Sequence, residues 1–406
     1  MSGDRAAATR GGGTAVLNVP GASGRRTRRR LIGVDAARGF ALLGMVAVHT
    51  LPVWDTENER ASLSWSLFAG HSAALFATLA GVSLAFLSGG RTPHTGRRLA
   101  GDRAGLVGRA AVIALVGFLV GFVAPPVNNI LIYYGMFFLL AIPFLGLRIR
   151  HLLISSAAFL LVAPFLMQWS LDVLPAHVYG NPTLWNLVTE PVTVLSQLLL
   201  TGTYPALPYM AYLCAGIALG RMNLTSRRVQ LWLAGAGAAL ALLAYAVSMA
   251  ALLVFGVYDR IWSATPWMSE EQIDAILVFG PEPSLPTTTL WWLVVPGPHT
   301  NTPLALLISL GMAGFALGAF LLLARVVGKW LTPLAAAGSM TFTLYTLHLL
   351  FLATGIHDLH PGFWFWMQVA VFGLLAVAWQ RAVGQGPLEK LVARTSKRIS
   401  RQVAER

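Results

Sequence analysis

The chain has 406 residues, of which 56% are hydrophobic and only 11% are charged. A soluble domain carries about a quarter of its residues as Asp, Glu, Lys or Arg, and here the apolar residues run in long blocks near the roughly 20 residues a membrane-crossing helix needs. A soluble enzyme is excluded; the net charge of +13 must be read against a membrane topology before it suggests nucleic acid.

The first 30 residues are Gly-, Ala- and Arg-rich and end in "GRRTRRR", a composition that cannot build a core and reads as a disordered basic tail. Ten spans follow, approximately at 32–53, 67–88, 104–124, 128–147, 151–169, 191–220, 229–256, 303–325, 332–354 and 362–383. The first has no small-residue cleavage site and reads as a signal anchor. The sixth contains Gly202, Pro205 and Pro208. It is either a broken helix bordering protein or a cavity, or a short interfacial segment before an ordinary span. A loop of about 45 residues at 257–302, with Trp262, Trp267, Trp291 and Trp292, is long for a connector and is expected to cap a site. The remainder, 386–406, is a basic tail.

With the N-terminus inside, 27 of the 29 Lys and Arg fall on the inner side, and 11 of the 16 acids fall outside. Cytoplasmic segments favour Lys and Arg, so the expected fold is an all-α polytopic membrane protein of about ten helices in one bundle. Both termini are then cytoplasmic, and 31–385 forms the membrane domain. The basic excess is a topology signal facing anionic lipid, not a nucleic-acid surface. The Gly-x-x-x-Gly pairs 117/121, 216/220 and 314/318 predict close helix packing. Cys214, the single cysteine, reads as a small packing residue.

Mid-membrane ionisable groups are scarce, which argues against an ion-coupled pump; His348 alone is expected deep. Polar groups gather instead at the outer boundary: His49, His71, His299, His357 and His360. His49 and His71 end adjoining antiparallel spans and are expected at similar depth, facing each other. Along "VDAARGFALLGMVAVHT" (34–50), Asp35, Arg38, Leu42, Met45 and His49 form one helical stripe. It carries an ion pair at the inner end and an imidazole about 20 Å away at the outer end. An acid inside a basic flank needs a particular partner, so the pair is read as belonging to a site.

The segment "RRRLIGVDAARGFALLGMVAVHT" resembles the opening signature of heparan-α-glucosaminide N-acetyltransferase-like and YeiB-like membrane proteins. "LFATLAGVSLAFLSG", "ILIYYGMFFLLAIP", "YPALPYMAYLCAGIALGR", "GPHTNTP", "AAAGSMTFTLYTLHLL" and "GPLEKLVAR" are similar too. The resemblance implies a bacterial plasma-membrane acyltransferase that meets acyl-CoA, as acetyl-CoA, on the cytoplasmic side. The acyl group would pass to an amine or hydroxyl of a sugar-containing acceptor outside. The family's histidine in the first outer loop has no counterpart here, since residues 52–64 contain none, and His49 stands where the family has Asn. The chemistry still suits His, which can take a proton near neutral pH or carry the acyl group itself. His71 or His49 is therefore expected as base with His299 beside it. Arg38, Arg103 and Arg109 would serve the anionic donor, Asp35 and Arg38 would organise the inner end, and Tyr133 and Tyr134 would line the donor's path. No metal or haem is expected: a bis-imidazole haem using His49, His71 or His348 would need two rings at one depth. Membrane lipid, donor and acceptor are the expected partners, and a homodimer is permitted. A transporter or flippase for a lipid-linked or small polar compound is the alternative.

Overall fold

A computed structural model describes residues 31–175 and 180–405; the tail expected at 1–30 lies outside the described residues. The order is α1 (Ile32–Thr50), a hairpin of β1 (Trp54–Asp55) and β2 (Arg60–Ala61), α2 (Leu63–Phe68), α3 (His71–Leu87), α4 (Gly96–Gly121), α5 (Ile130–Ala141) and α6 (Ile149–Val173). Then come α7 (Leu184–Thr189), α8 (Pro191–Ser196), α9 (Ala206–Gly220) and α10 (Arg227–Leu253). The second half holds α11 (Val257–Ala264), α12 (Glu270–Phe279), α13 (Pro303–Val327), α14 (Thr332–Gly338), α15 (Thr341–Leu352), α16 (Pro361–Ala382) and α17 (Pro387–Ala404).

The all-α polytopic architecture is borne out: among the described residues, seven helical segments are each long and apolar enough to cross a membrane. Three shorter apolar stretches, Ile130–Gly146, Pro191–Thr201 and Ala206–Gly220, accompany them. The predicted ninth span is not one helix. α14 and α15 meet at 80° across Ser339 and Met340, a break that a run of apolar letters conceals. The sixth is broken as well: α8 continues into one π-helical turn at Gln197–Thr201, and Gly202–Pro205 then separates it from α9. Pro205 cannot donate to a helical ladder, so the chain stops there and restarts.

Of the seven long segments α1 is the most enclosed, with 67% of its apolar stretch buried against 17% for α16. Its sequence explains the position. Gly33, Gly39 and Gly44 with Ala36, Ala37, Ala41 and Ala47 leave a thin helix that neighbours can approach closely. α14 comes nearest. A Cβ on Gly338 would overlap the Asp35 carbonyl oxygen and lie 2.6 Å from Gly39 N, so two backbones touch at this seam. The expected small-residue packing recurs between α3 and α9, where a Cβ on Gly216 would overlap Thr78 O. Cys214 is fully buried within α9 among apolar neighbours, as its sequence context suggests.

The long loop has its own core of Val257, Ile261, Ile273, Ile276, Trp292 and Val295. Trp292 Nε1 donates to Thr265 and Thr288, whereas Trp262, Trp267 and Trp291 remain exposed. The loop rests on the start of the second span, through Trp65 Nε1 donating to Val278 O at 3.0 Å. At the opposite end, 387–404 is an amphipathic helix lying along α4, with Gly101 and Gly105 facing Ser396 and Ser400. Glu389 ties it to the broken span by accepting from Thr343 N at 3.0 Å and Thr343 Oγ1 at 2.6 Å.

Candidate functional site

The stripe read from α1 is real and faces inward: Leu42 and Met45 are 2% and 4% exposed. At its first end Arg38 Nη1 donates to Asp35 Oδ1 at 3.0 Å, and Arg38 Nη2 donates to Ser83 Oγ on α3. The carboxylate sits in the first turn of α1, where the helix dipole favours it. Arg109 on α4 lies close enough to Arg38 for the two cations to repel, and Tyr134 feels the Arg38 charge. The Tyr134 hydroxyl is buried without a hydrogen-bond partner. Arg103 stands ~9 Å nearer the start of the same helix, and its Nε is likewise buried and unpartnered. Orphaned donors in a basic neighbourhood suit an anionic ligand.

At the other end the histidines form two linked groups, and their pairing differs from expectation. His71 does not partner His49. Its Nδ1 meets Ser309 Oγ of α13 at 2.8 Å, and Ser309 also bonds the Tyr212 hydroxyl of α9. His49 Nδ1 instead meets His348 Nε2 at 3.1 Å, with the ring planes within 6° of parallel and their centroids 5.3 Å apart. His348 was expected too deep to reach the others; in the structure α15 stands at 80° to α14 and the His348 ring lies against the last turn of α1. Beyond it, His348 Nδ1 meets Gln368 Oε1 of α16 at 2.7 Å, and Gln368 Nε2 reaches Trp364 O and Thr50 Oγ1.

His299 joins the two groups. It lies within electrostatic range of His49 and His71 and packs edge-on against Tyr204 at 5.3 Å. The loop presents it under strain: His299 and Asn301 adopt φ of +58° and +53°, a region that side chains other than glycine enter sparingly. Asn301 Nδ2 holds the turn by donating to His299 O at 2.9 Å. The His299 Nδ1 is buried without a partner. Burial, helped by neighbouring His71, pulls its pKa from 6.5 down to about 4, so the ring is neutral at physiological pH. A neutral, unpartnered imidazole on a strained loop can accept a proton or a ligand hydrogen bond. Sequence reasoning placed His299 by proximity to α13 alone, and nothing in the letters announced the strain.

Between the two ends runs a band of tyrosines. Tyr133 bonds Gln197 and the Thr203 backbone at the broken sixth span and packs on Tyr204 at 5.5 Å. Tyr204 meets Tyr209 at 6.0 Å, and Tyr209 meets Tyr212 at 5.1 Å. Tyr345 sits within electrostatic range of both Tyr204 and Tyr134. Polar groups thus follow one another from Arg38 through Tyr134, Tyr345 and Tyr204 to His299. Tyr133 and Tyr134 were foreseen as liners; Tyr204, Tyr209, Tyr212 and Tyr345 were not, although "YPALPYMAY" spaces three of them along the break and one helix.

Comparison with known proteins gives a family match. The model described as "heparan-alpha-glucosaminide N-acetyltransferase, catalytic" covers residues 30–259, more than half of the chain. It takes in Asp35, Arg38, His49, His71, Arg103, Arg109 and the tyrosines of α5 and α9, and ends before His299 and His348. No curated protein matches the chain.

Proposed function

The chain belongs to the heparan-alpha-glucosaminide N-acetyltransferase family, and from that premise we propose an integral membrane acyltransferase taking its acyl group, as acetyl, from acyl-CoA. Acyl-CoA enters at the Arg38 end, taken as the cytoplasmic side of a bacterial plasma membrane; the segregation of Lys and Arg supports that sidedness. An amine or hydroxyl of a sugar-containing acceptor waits at the histidine end. Ten crossings with both termini inside complete this topology, counting the short α5 and broken α8–α9 segments as crossings.

The single observation that carries the reading is the line of polar groups joining a basic, partly unpartnered cluster at one end to three neighbouring histidines at the other. Arg38, Arg109 and Arg103 supply positive charge for the donor's phosphates, and Asp35 holds Arg38 in place. Tyr134 and Tyr133 offer hydroxyls along the pantetheine arm, so that the thioester reaches the His49, His71 and His299 group. There one histidine accepts the N–H or O–H proton as the acceptor's heteroatom attacks the thioester carbonyl. The new acyl bond forms, the carbon–sulfur bond breaks, and the thiolate takes up the proton. Holding both reactants against the base converts a bimolecular reaction into a local one.

The test is acetyl transfer from labelled acetyl-CoA to glucosamine by purified protein, with His49, His71 and His299 each replaced by Ala. At least one replacement is expected to lower the rate ~100-fold or more. Unchanged transfer in all three would remove the histidines from the chemistry. The carrier reading draws support from the bent α14–α15 pair and the interruption between α8 and α9, since interrupted helices commonly border transport paths. Tracer crossing liposomes without acylation would favour it.

A further inference from the structure

His49 can act as a base only at a ring nitrogen that carries no proton, and the hydrogen bonds behind it decide which nitrogen that is. Gln368 fixes the first assignment. Trp364 O is a carbonyl and can only accept, so the Gln368 atom facing it at 3.3 Å is the amide nitrogen. The opposite amide orientation would set two carbonyl oxygens against each other. The Gln368 oxygen therefore faces His348 Nδ1 at 2.7 Å, and that nitrogen must donate. In a neutral His348 the other nitrogen, Nε2, is then an acceptor. Its partner at 3.1 Å is His49 Nδ1, which must carry the hydrogen. His49 Nε2 is left as the lone pair.

We propose that His348 and Gln368 are positioning residues that lock His49 in its Nδ1–H tautomer and aim Nε2 at the acceptor's proton. The inference rests on the acyltransferase reading for its chemical purpose, but the tautomer itself does not depend on it. The arrangement works as an orienting partner does for a catalytic imidazole: it fixes ring and proton, and stabilises the imidazolium formed when Nε2 is protonated. His348 is fully buried and Gln368 is 5% exposed, so water does not compete for these bonds. The relay is assembled from α1, α15 and α16, and two of its members lie outside the stretch that the family match covers.

The experiment uses full-length protein with ¹⁵N-labelled histidine in lipid, with His49 assigned by difference against His49→Asn. Expected are a protonated Nδ1 and an unprotonated Nε2 on His49, with a nitrogen–nitrogen coupling across the bond to His348. A protonated Nε2 on His49 in the unaltered protein overturns the proposal whatever the activity. Gln368→Leu removes the acceptor and is expected to mix the tautomers and lower kcat ~10–100-fold, with KM for acetyl-CoA little changed. A Leu variant with unaltered tautomer contradicts the positioning role. An Nδ1–H tautomer in a protein that transfers no acetyl group leaves this inference standing and fails the acyltransferase reading alone.

Discussion

Gly338→Ala is the substitution to which the architecture is most exposed. The added Cβ would overlap the Asp35 carbonyl oxygen and stand 2.6 Å from Gly39 N and 2.8 Å from Asp35 C. These are backbone atoms inside a buried helix, so no side chain can swing aside. Ordinary contact would require α1 and α14 to separate by about 1.5 Å, opening a seam packed at close to crystal density. Overpacking of this kind costs about 1–3 kcal/mol and more where the neighbour is rigid. The shift would also move Asp35 and the kink that carries His348. The expected result is a fall in the thermal midpoint of the detergent-purified protein together with a loss of acetyl transfer. Gly373→Ala is the control: it lies in a helix with nothing within 4 Å of its Cβ, and alanine there is expected to be neutral or mildly stabilising. Equal behaviour of the two variants would refute the close backbone seam.

Three further expectations follow from the same geometry. His299 is held near pKa 4 in the folded chain against 6.5 unfolded, so the unfolded state binds the proton first as pH falls. Stability is then present above about pH 6.5 and lost between there and 4, by at most about 3 kcal/mol. His299→Asn keeps the left-handed φ and should flatten that acid limb in unfolding measured across pH. Replacing Glu389 by Ala removes both bonds to Thr343 and should cost about 1–3 kcal/mol, read as a lower thermal midpoint and easier proteolysis of α17. Arg38→Ala should raise KM for acetyl-CoA ~10-fold or more with a smaller change in kcat, because it removes a donor-side charge; an unaltered KM would detach Arg38 from the donor.

The helical class, the inward stripe on α1 and the broken sixth span were legible because each depends on local letters: apolar length, a three- and four-residue spacing, and proline beside glycine. The Asp35–Arg38 contact was readable for the same reason. The partners of His49 and His71 were not. The kink at Ser339–Met340 contains no proline, and the contact of Gly338 beside it with α1 is tertiary and invisible in α14 and α15 themselves. Without that kink His348 counts as mid-span, and its bond to His49 cannot be inferred. His71 was matched to His49 by order along the chain, whereas Ser309, more than two hundred residues later, takes its nitrogen. Tyr204, Tyr209, Tyr212 and Tyr345 were missed because aromatic letters in an apolar span read as packing until their rings are seen side by side.

The most direct test of the central claim is sided acetyl transfer. Protein is reconstituted into vesicles with its orientation fixed by an accessible terminal tag; labelled acetyl-CoA is confined to the Arg38 side and glucosamine to the histidine side. N-acetylglucosamine is expected to appear on the histidine side and free CoA on the other, with neither intact reactant crossing. Reactants that cross unacylated, or acetyl-CoA left uncleaved in both orientations, would contradict it.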